Sequence, residues 1–214
     1  GETTEWRPAG VFLTTSPDGA LMAVQDQASR TITVWDTASR RQVQQLRGDY
    51  AEVSFAADNS LLLATSTDRI LASPYHVDVI AIPSGTVLGS HQMPAATNPP
   101  VYSLAAAALV LPTNTGGFEV RRVDGTTVRS IGTGSHPQRW RLSTDGAVLA
   151  VATTSTVTLY DVTTGAVRST IATACPSVDR LDLARRGDFL VVDESCGGTF
   201  SVCVYDTATG GLVS

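Results

Sequence analysis

The sequence predicts an all-β chain built from about five copies of one four-stranded antiparallel sheet, and three observations carry that expectation. The first is a ten-residue phrase written three times: "TITVWDTASR" at 31–40, "TVTLYDVTTG" at 156–165 and "SVCVYDTATG" at 201–210. Each copy alternates apolar residues, reaches an aromatic residue and an Asp, and then runs through small hydroxyl residues to Gly or Arg. The second is a turn phrase ahead of each copy, "TTSPDGALMAV" at 14–24, "LSTDGAVLAV" at 142–151 and "LARRGDFLVV" at 183–192, with a weaker form "FAADNSLLLA" at 55–64. The third is spacing: 41 residues separate Gly19 from Ser60 and again Gly146 from Gly187, and 86, twice 43, separate Ser60 from Gly146.

Within a unit the elements follow in order. A first strand ends at a tight turn made by Asp-Gly, Asp-Asn or Gly-Asp, residues that accept positive φ or bond nearby amides through the Asp side chain. The second strand follows. The third alternates with period two, as in Ile32 and Val34 or Val157 and Leu159, and closes on Asp36, Asp161 or Asp206. Gly165 and Gly210 then reverse the chain into the fourth strand. The spacing requires a further copy near 103–111, where "SLAAAALVL" stands with its polar turn eroded to alanines. The units run roughly 9–48, 49–94, 95–134, 135–174 and 175–214.

These features resemble the WD-repeat β-propeller family, in which a polar turn joins the first two strands and a Trp-Asp pair ends the third. The match spans nearly the whole chain and is strongest in the units ending at Asp36, Asp161 and Asp206. Between 75 and 130 "HVDVIAIPSG" and "FEVRRVDG" lack the aromatic-Asp pair. The family's Gly-His pair is absent, "RGD" at 47–49 standing in its place in one unit, so the network built on that His does not carry over. The resemblance implies one β-propeller domain over 1–214, of about five four-stranded blades, since a single blade cannot cover its own faces. Residues 2–7 are expected to close the ring beside the last blade, whose "GGLVS" is short for an outer strand. The alternative is part of a seven-bladed ring, an open arc with two apolar sheet faces uncovered.

In such a fold the turns after strands one and three share one rim, and those after strands two and four share the other. The first set reads short. The second reads long: 65–76, 89–100, 112–117, 132–139 and 193–198. Loops on a rigid frame supply recognition, so the long-loop face is the expected binding face, with Tyr50, Asp68, Arg69, Tyr75, His76, His91, Asn114, His136, Arg139, Asp193 and Glu194 as its candidate residues. The three histidines belong to different units and lack short ligand spacings, so no metal is expected. Trp35 and Trp140 read as residues packed between blades.

Cys175 enters the fifth unit and Cys196 falls between its second and third strands, on one rim of one blade. Two readings stay open. Either the pair is bonded and the domain lies outside the cytoplasm, or both are unpaired loop thiols of a cytoplasmic protein. Cys203, between Val202 and Val204, reads as a small apolar strand residue.

Composition narrows the function. The net charge is −5 and no lysine occurs, which argues against nucleic acid and removes Schiff-base and Walker-type chemistry. No apolar run is long enough to span a membrane. The start, "GETTEWRPAG", lacks a signal peptide's pattern and an initiator Met, which suggests a piece of something longer. No nucleophile elbow, phosphate loop, His-Glu-x-x-His or Cys-x-x-Cys is present, so no enzyme and no cofactor are expected. Asp193 and Glu194, adjacent in a strand, point to opposite sides and make a poor acid–base pair. The expectation is a non-catalytic recognition or sensor domain of a larger bacterial protein, binding a protein or a small ligand. The alternative is an exported carbohydrate-binding or hydrolytic propeller, though that would need aromatic and carboxylate residues repeated at one position per blade.

Overall fold

A computed structural model describes residues 8, 10–26, 28–48, 50–66, 75–93, 101–103, 106–134, 137–175, 177–184 and 186–213. Residues 2–7, expected to close a ring, lie outside them. Among the described residues there is no helix, and five antiparallel sheets follow one another in sequence, the blades of a multi-blade propeller.

The chain divides into two compact units, Gly1–Ala95 and Ala96–Ser214. The first holds two blades. Strands β1 (Val11–Thr15), β2 (Leu21–Asp26), β3 (Thr31–Asp36) and β4 (Gln42–Arg47) make one. Strands β5 (Tyr50–Phe55), β6 (Leu61–Ser66), β7 (Tyr75–Ala81) and β8 (Val87–Met93) make the next. Leu21, Ala23, Ile32 and Val34 of the first blade pack on Leu62, Ala64 and Ile80 of the second. This burial of alternate apolar positions is what the period-two pattern dictates.

The second unit holds three blades. The third blade comprises β9 (Val101–Ser103), β10 (Ala108–Pro112), β11 (Gly117–Arg121) and β12 (Thr127–Gly132). The fourth comprises β13 (Arg139–Leu142), β14 (Val148–Ala152), β15 (Thr156–Asp161) and β16 (Val167–Ala172). The fifth has β17 (Ser177–Leu183), β18 (Phe189–Cys196) and β19 (Thr199–Asp206), and its outer edge is met by a bridge from Leu212 to Tyr205. Trp140 packs between the third and fourth blades, edge-on to Phe118 with ring centroids 5.1 Å apart. Cys203 is partly buried against the core shared by the fourth and fifth blades.

The repeated phrase has a clear physical role. Asp36 accepts the Ser39 amide, Asp161 the Thr164 amide and Asp206 the amides of Ala208 and Thr209, so each carboxylate closes the turn into the fourth strand. The next residue then ties that turn to the first hairpin. Thr37 Oγ1 donates to the Gly19 and Ala20 carbonyls, and Thr207 Oγ1 to those of Gly187 and Asp188. Both turns therefore sit on one rim and hold each other. The first hairpin is also built from its own residues: Ser16 Oγ donates to Asp18 and accepts the Leu21 amide, and Ser143, Asp145 and Val148 repeat the pattern.

The opposite rim departs from expectation. The turn in the third blade is only Thr113–Gly116, and in the fifth β18 and β19 run on to Cys196 and Thr199, leaving Gly197 and Gly198 alone between them. Both glycines take positive φ, 57° and 95°, the geometry of a two-residue hairpin turn that matches the strands' twist. Long irregular loops at 112–117 and 193–198 are thus tight turns. The segments 67–74 and 94–100 lie outside the described residues.

Candidate functional site

The residues expected on the binding face have separate local jobs. Tyr50 opens β5 rather than a loop; its hydroxyl donates 2.8 Å to Asp78, and the Gln25 amide donates to its carbonyl. Burial, and then the Asp78 carboxylate, push the Tyr50 phenol up to about 12. His91 is an interior strand residue of β8, opposite Val77, because positions 89, 91 and 93 of that strand face inward. His76 is exposed in β7, and its amide donates to Ser66 Oγ. Tyr75 begins the same strand, its side chain lying outside the description, as do Asp68, Arg69 and His136. Arg139 opens β13, exposed, and its guanidinium donates to the carbonyls of Asp179 and Gln138, tying the fourth blade to the fifth.

Glu194 is a correction of a different kind. It was expected on the binding face, at a strand end beside the loop, and is instead 0% exposed within β18, while Asp193 is partly buried on the opposite side of the same strand, the facing that their adjacency implies. The strand's alternation continues through Cys196, and that turns Glu194 inward. Its two oxygens accept from the Tyr205 hydroxyl at 2.9 Å and the Cys175 amide at 3.0 Å. Burial, then Glu194, hold the Tyr205 phenol far above its usual value. Cys175 and Cys196 form a disulfide with Cα atoms 5.1 Å apart, joining the segment before β17 to the end of β18. Carboxylate, phenol and disulfide together pin one rim of the fifth blade, a structural duty for a residue first read as a ligand contact.

What the sequence reading missed lies beside Asn114. A pocket of about 310 Å³ opens in the third blade, lined by Thr113, Thr115, Ser130, Thr133 and Glu119, with Phe118 and Ile131 at its apolar wall. Gly116, Gly117, Gly132 and Gly134 complete the lining, so absent side chains create the space. Gly117 is required there, since a Cβ would fall 2.7 Å from the Ile131 carbonyl oxygen of β12. Thr113 Oγ1 accepts the Gly117 amide, and Thr133 Oγ1 donates to the Gly116 carbonyl, fixing the turn to the end of β12. Glu119 pairs with Arg121. Asn114 is exposed in that turn, flanked by two lining threonines. Threonine, serine and glycine read as ordinary turn composition, which hid the pocket; the signal was the pair of Gly-rich stretches 113–117 and 132–134 that flank one hairpin and meet at its open end, where Gly117 pairs with Gly132.

Among the described residues no group of three or more His, Cys, Asp or Glu is placed to hold a metal ion, and no helix is long and apolar enough to cross a membrane. No family model matches the chain, and no curated protein matches it significantly. Solved structures do share its fold. A crystal structure described as that of a functionally unknown protein from Desulfotomaculum acetoxidans DSM 771 is 13% identical with a TM-score of 0.69, covering 97% of this chain and 69% of that one. A second, described as KlHsv2 with loop 6CD replaced by a Gly-Ser linker, is 10% identical with a TM-score of 0.66, covering 89% of this chain and 62% of that one. The chain thus spans about two thirds of each of these similar folds.

Proposed function

We propose that this chain is a non-catalytic recognition domain, similar to WD-repeat modules of larger bacterial proteins, and that it works outside the cytoplasm. The observation that carries the reading is the third-blade pocket, on the rim opposite the interlocked short turns. Its walls offer hydroxyls and one carboxylate above an apolar floor, a lining suited to orienting a small polar ligand or an exposed peptide loop by hydrogen bonds. The rest of the blade is rigid sheet, so the pocket is preformed. The disulfide supports the extracytoplasmic part, because such a bond persists in oxidising compartments.

Gly132 gives a clean test. It lines the pocket, its φ is not in the left-handed region, and a Cβ there meets nothing within 4 Å. Gly132→Trp should fill the pocket without strain and leave the melting temperature unchanged. Saturation-transfer NMR with a panel of monosaccharides, polyols and blocked dipeptides should show binding to the native chain that the variant loses. Binding that survives in the variant, or a panel with no binder, would remove the pocket as the recognition site.

A further inference from the structure

We infer that the Cys175–Cys196 disulfide is a redox latch: it holds the Cys175 segment against the buried carboxylate of Glu194, and its reduction by a dithiol opens one rim of the fifth blade while the neighbouring sheet stays folded.

The argument starts from the same position in other blades. Thr153 stands 41 residues before Glu194, the step that also separates Gly146 from Gly187. Its hydroxyl is satisfied inside its own turn, by the carbonyl and hydroxyl of Thr156. Asp26, at the matching end of β2, likewise accepts the amides of Ala28 and Ser29 in its own turn. Glu194 reaches further. One oxygen accepts from Tyr205 on the adjacent strand, and the other from the amide of Cys175, 19 residues back along the chain.

That difference makes the carboxylate conditional. It is 0% exposed, and no ion pair among the described residues includes it. A buried charge without a cation depends on its donors, and losing one leaves it under-bonded in a medium that solvates it poorly. The Tyr205 donor is anchored in β19, where its ring packs in the core shared with the fourth blade. The Cys175 donor is backbone of the connection between β16 and β17, held by the disulfide and by the Thr173 hydroxyl bonded to the Cys175 carbonyl. The disulfide therefore decides whether the second donor stays in place.

Access to the bond is one-sided. Cys196 is exposed beside the two-glycine turn, whereas Cys175 is only 6% exposed. A thiolate of the dithiol attacks the Cys196 sulfur, and Cys175 leaves as a thiolate and takes up a proton. The reductant's second thiol then displaces Cys196, closing a disulfide within the reductant. Two electrons and two protons pass to the cysteine pair, which ends as two thiols. With Cys175 released, Glu194 regains solvation by parting the end of the β18–β19 hairpin from the segment that covered it.

Hydrogen–deuterium exchange of the 214-residue chain, oxidised and after treatment with dithiothreitol, reads the latch directly. Reduction should speed exchange around Cys175 and around Glu194 at least about tenfold, and leave β14 and β15 as slow as before, the pattern of a local opening. Glu194→Gln removes the buried charge, so reducing that variant should produce little of this acceleration. Glu194→Leu combined with Tyr205→Phe removes the carboxylate and its phenol donor together, and carries the same expectation if the single variant does not fold. A pair that dithiothreitol reduces only in denaturant overturns the inference, as does exchange unchanged by reduction. Acceleration spread through all three blades of the unit makes the bond a staple of global stability and overturns the latch. Equal acceleration with and without the carboxylate overturns it too, because opening would then owe nothing to Glu194.

Discussion

The Tyr205 hydroxyl donates a 2.9 Å hydrogen bond to Oε1 of Glu194, and the two residues lie on neighbouring strands of the fifth blade with the carboxylate wholly removed from solvent. A buried carboxylate is tolerated only when its oxygens are bonded. Tyr205→Phe keeps the ring's packing and deletes one of the two donors. The expected outcome is a loss of about 1–3 kcal/mol in urea unfolding, the penalty of a buried acceptor left unmet. Replacing Glu194 with Leu in the Tyr205→Phe background should recover part of that loss, and a single variant as stable as the native chain would show the bond to be unimportant.

The disulfide supplies the second donor indirectly, since it fixes the backbone of Cys175, whose amide reaches Glu194 Oε2. Cys175 and Cys196 are 21 residues apart, and closing a loop of that size restricts the unfolded chain by roughly 3 kcal/mol. Cys196→Ser should therefore destabilise by about that amount, and by more than Cys203→Ala, whose free thiol closes no loop. Alkylation before reduction checks the pairing: one thiol should label in the native protein. Three labelled thiols in protein trapped directly from cells would contradict the bond and the extracytoplasmic reading built on it.

Gly19 and Gly187 occupy equivalent turns with nearly the same φ, 73° and 72°, and differ in their surroundings. A Cβ on Gly19 meets nothing within 4 Å, whereas on Gly187 it falls 2.7 Å from Cγ2 of Val148 in the fourth blade. Gly19→Ala should cost only the left-handed conformation, about 1 kcal/mol. Gly187→Ala adds an overlap with a packed core residue and should cost about 1–3 kcal/mol more. Equal losses in chemical denaturation would show that the blade interface gives way freely.

The fold was legible because its determinants are local. Alternation and Asp-bearing turns recur in the sequence, and the structure shows Asp36, Asp161 and Asp206 making the same turn-closing bonds. The candidate site was far less legible, because burial depends on where a strand stops. Reading 193–198 as a loop put Glu194 in solvent, while β18 carries it to the interior and two glycines alone make the turn. His91 and Tyr50 were misplaced for the same reason, each belonging to a strand that extends beyond its polar-looking sequence. The pocket rests on side chains that are missing at four glycines, and absence leaves little trace in composition.

The eroded third-unit turn yields its own prediction. Ala107 holds φ of 48° at the place where other units put Gly or Asn, and it is exposed. The Cβ there is strained against its own backbone, a term Gly removes. Ala107→Gly should stabilise the chain by about 0.5–1 kcal/mol after the entropy of the more flexible unfolded residue is set against the relief. A lower urea midpoint in the variant would mean that the unfolded-state term dominates.

Asp161 supplies the pH dependence. The Arg168 guanidinium bonded to its Oδ2, followed by the Thr164 amide at Oδ1, lowers its carboxyl from 3.8 to about 2. A carboxyl depressed in the folded state stabilises the protein above its unfolded value and ceases to do so as pH falls through its folded one. The contribution of Asp161 is therefore complete above about pH 4 and disappears between there and pH 2. Arg168 is half exposed, so the pair itself contributes modestly, and Arg168→Ala should lower stability at pH 7 by no more than about 0.5–1 kcal/mol. The sharper readout is the titration. In the variant the Asp161 carboxyl should titrate closer to 3.8, still held below it by the Thr164 amide, and the acid-unfolding midpoint should move to higher pH. An Asp161 titration that stays where it was would assign its depression to the backbone turn alone, leaving the phrase's Asp to act without any cationic partner.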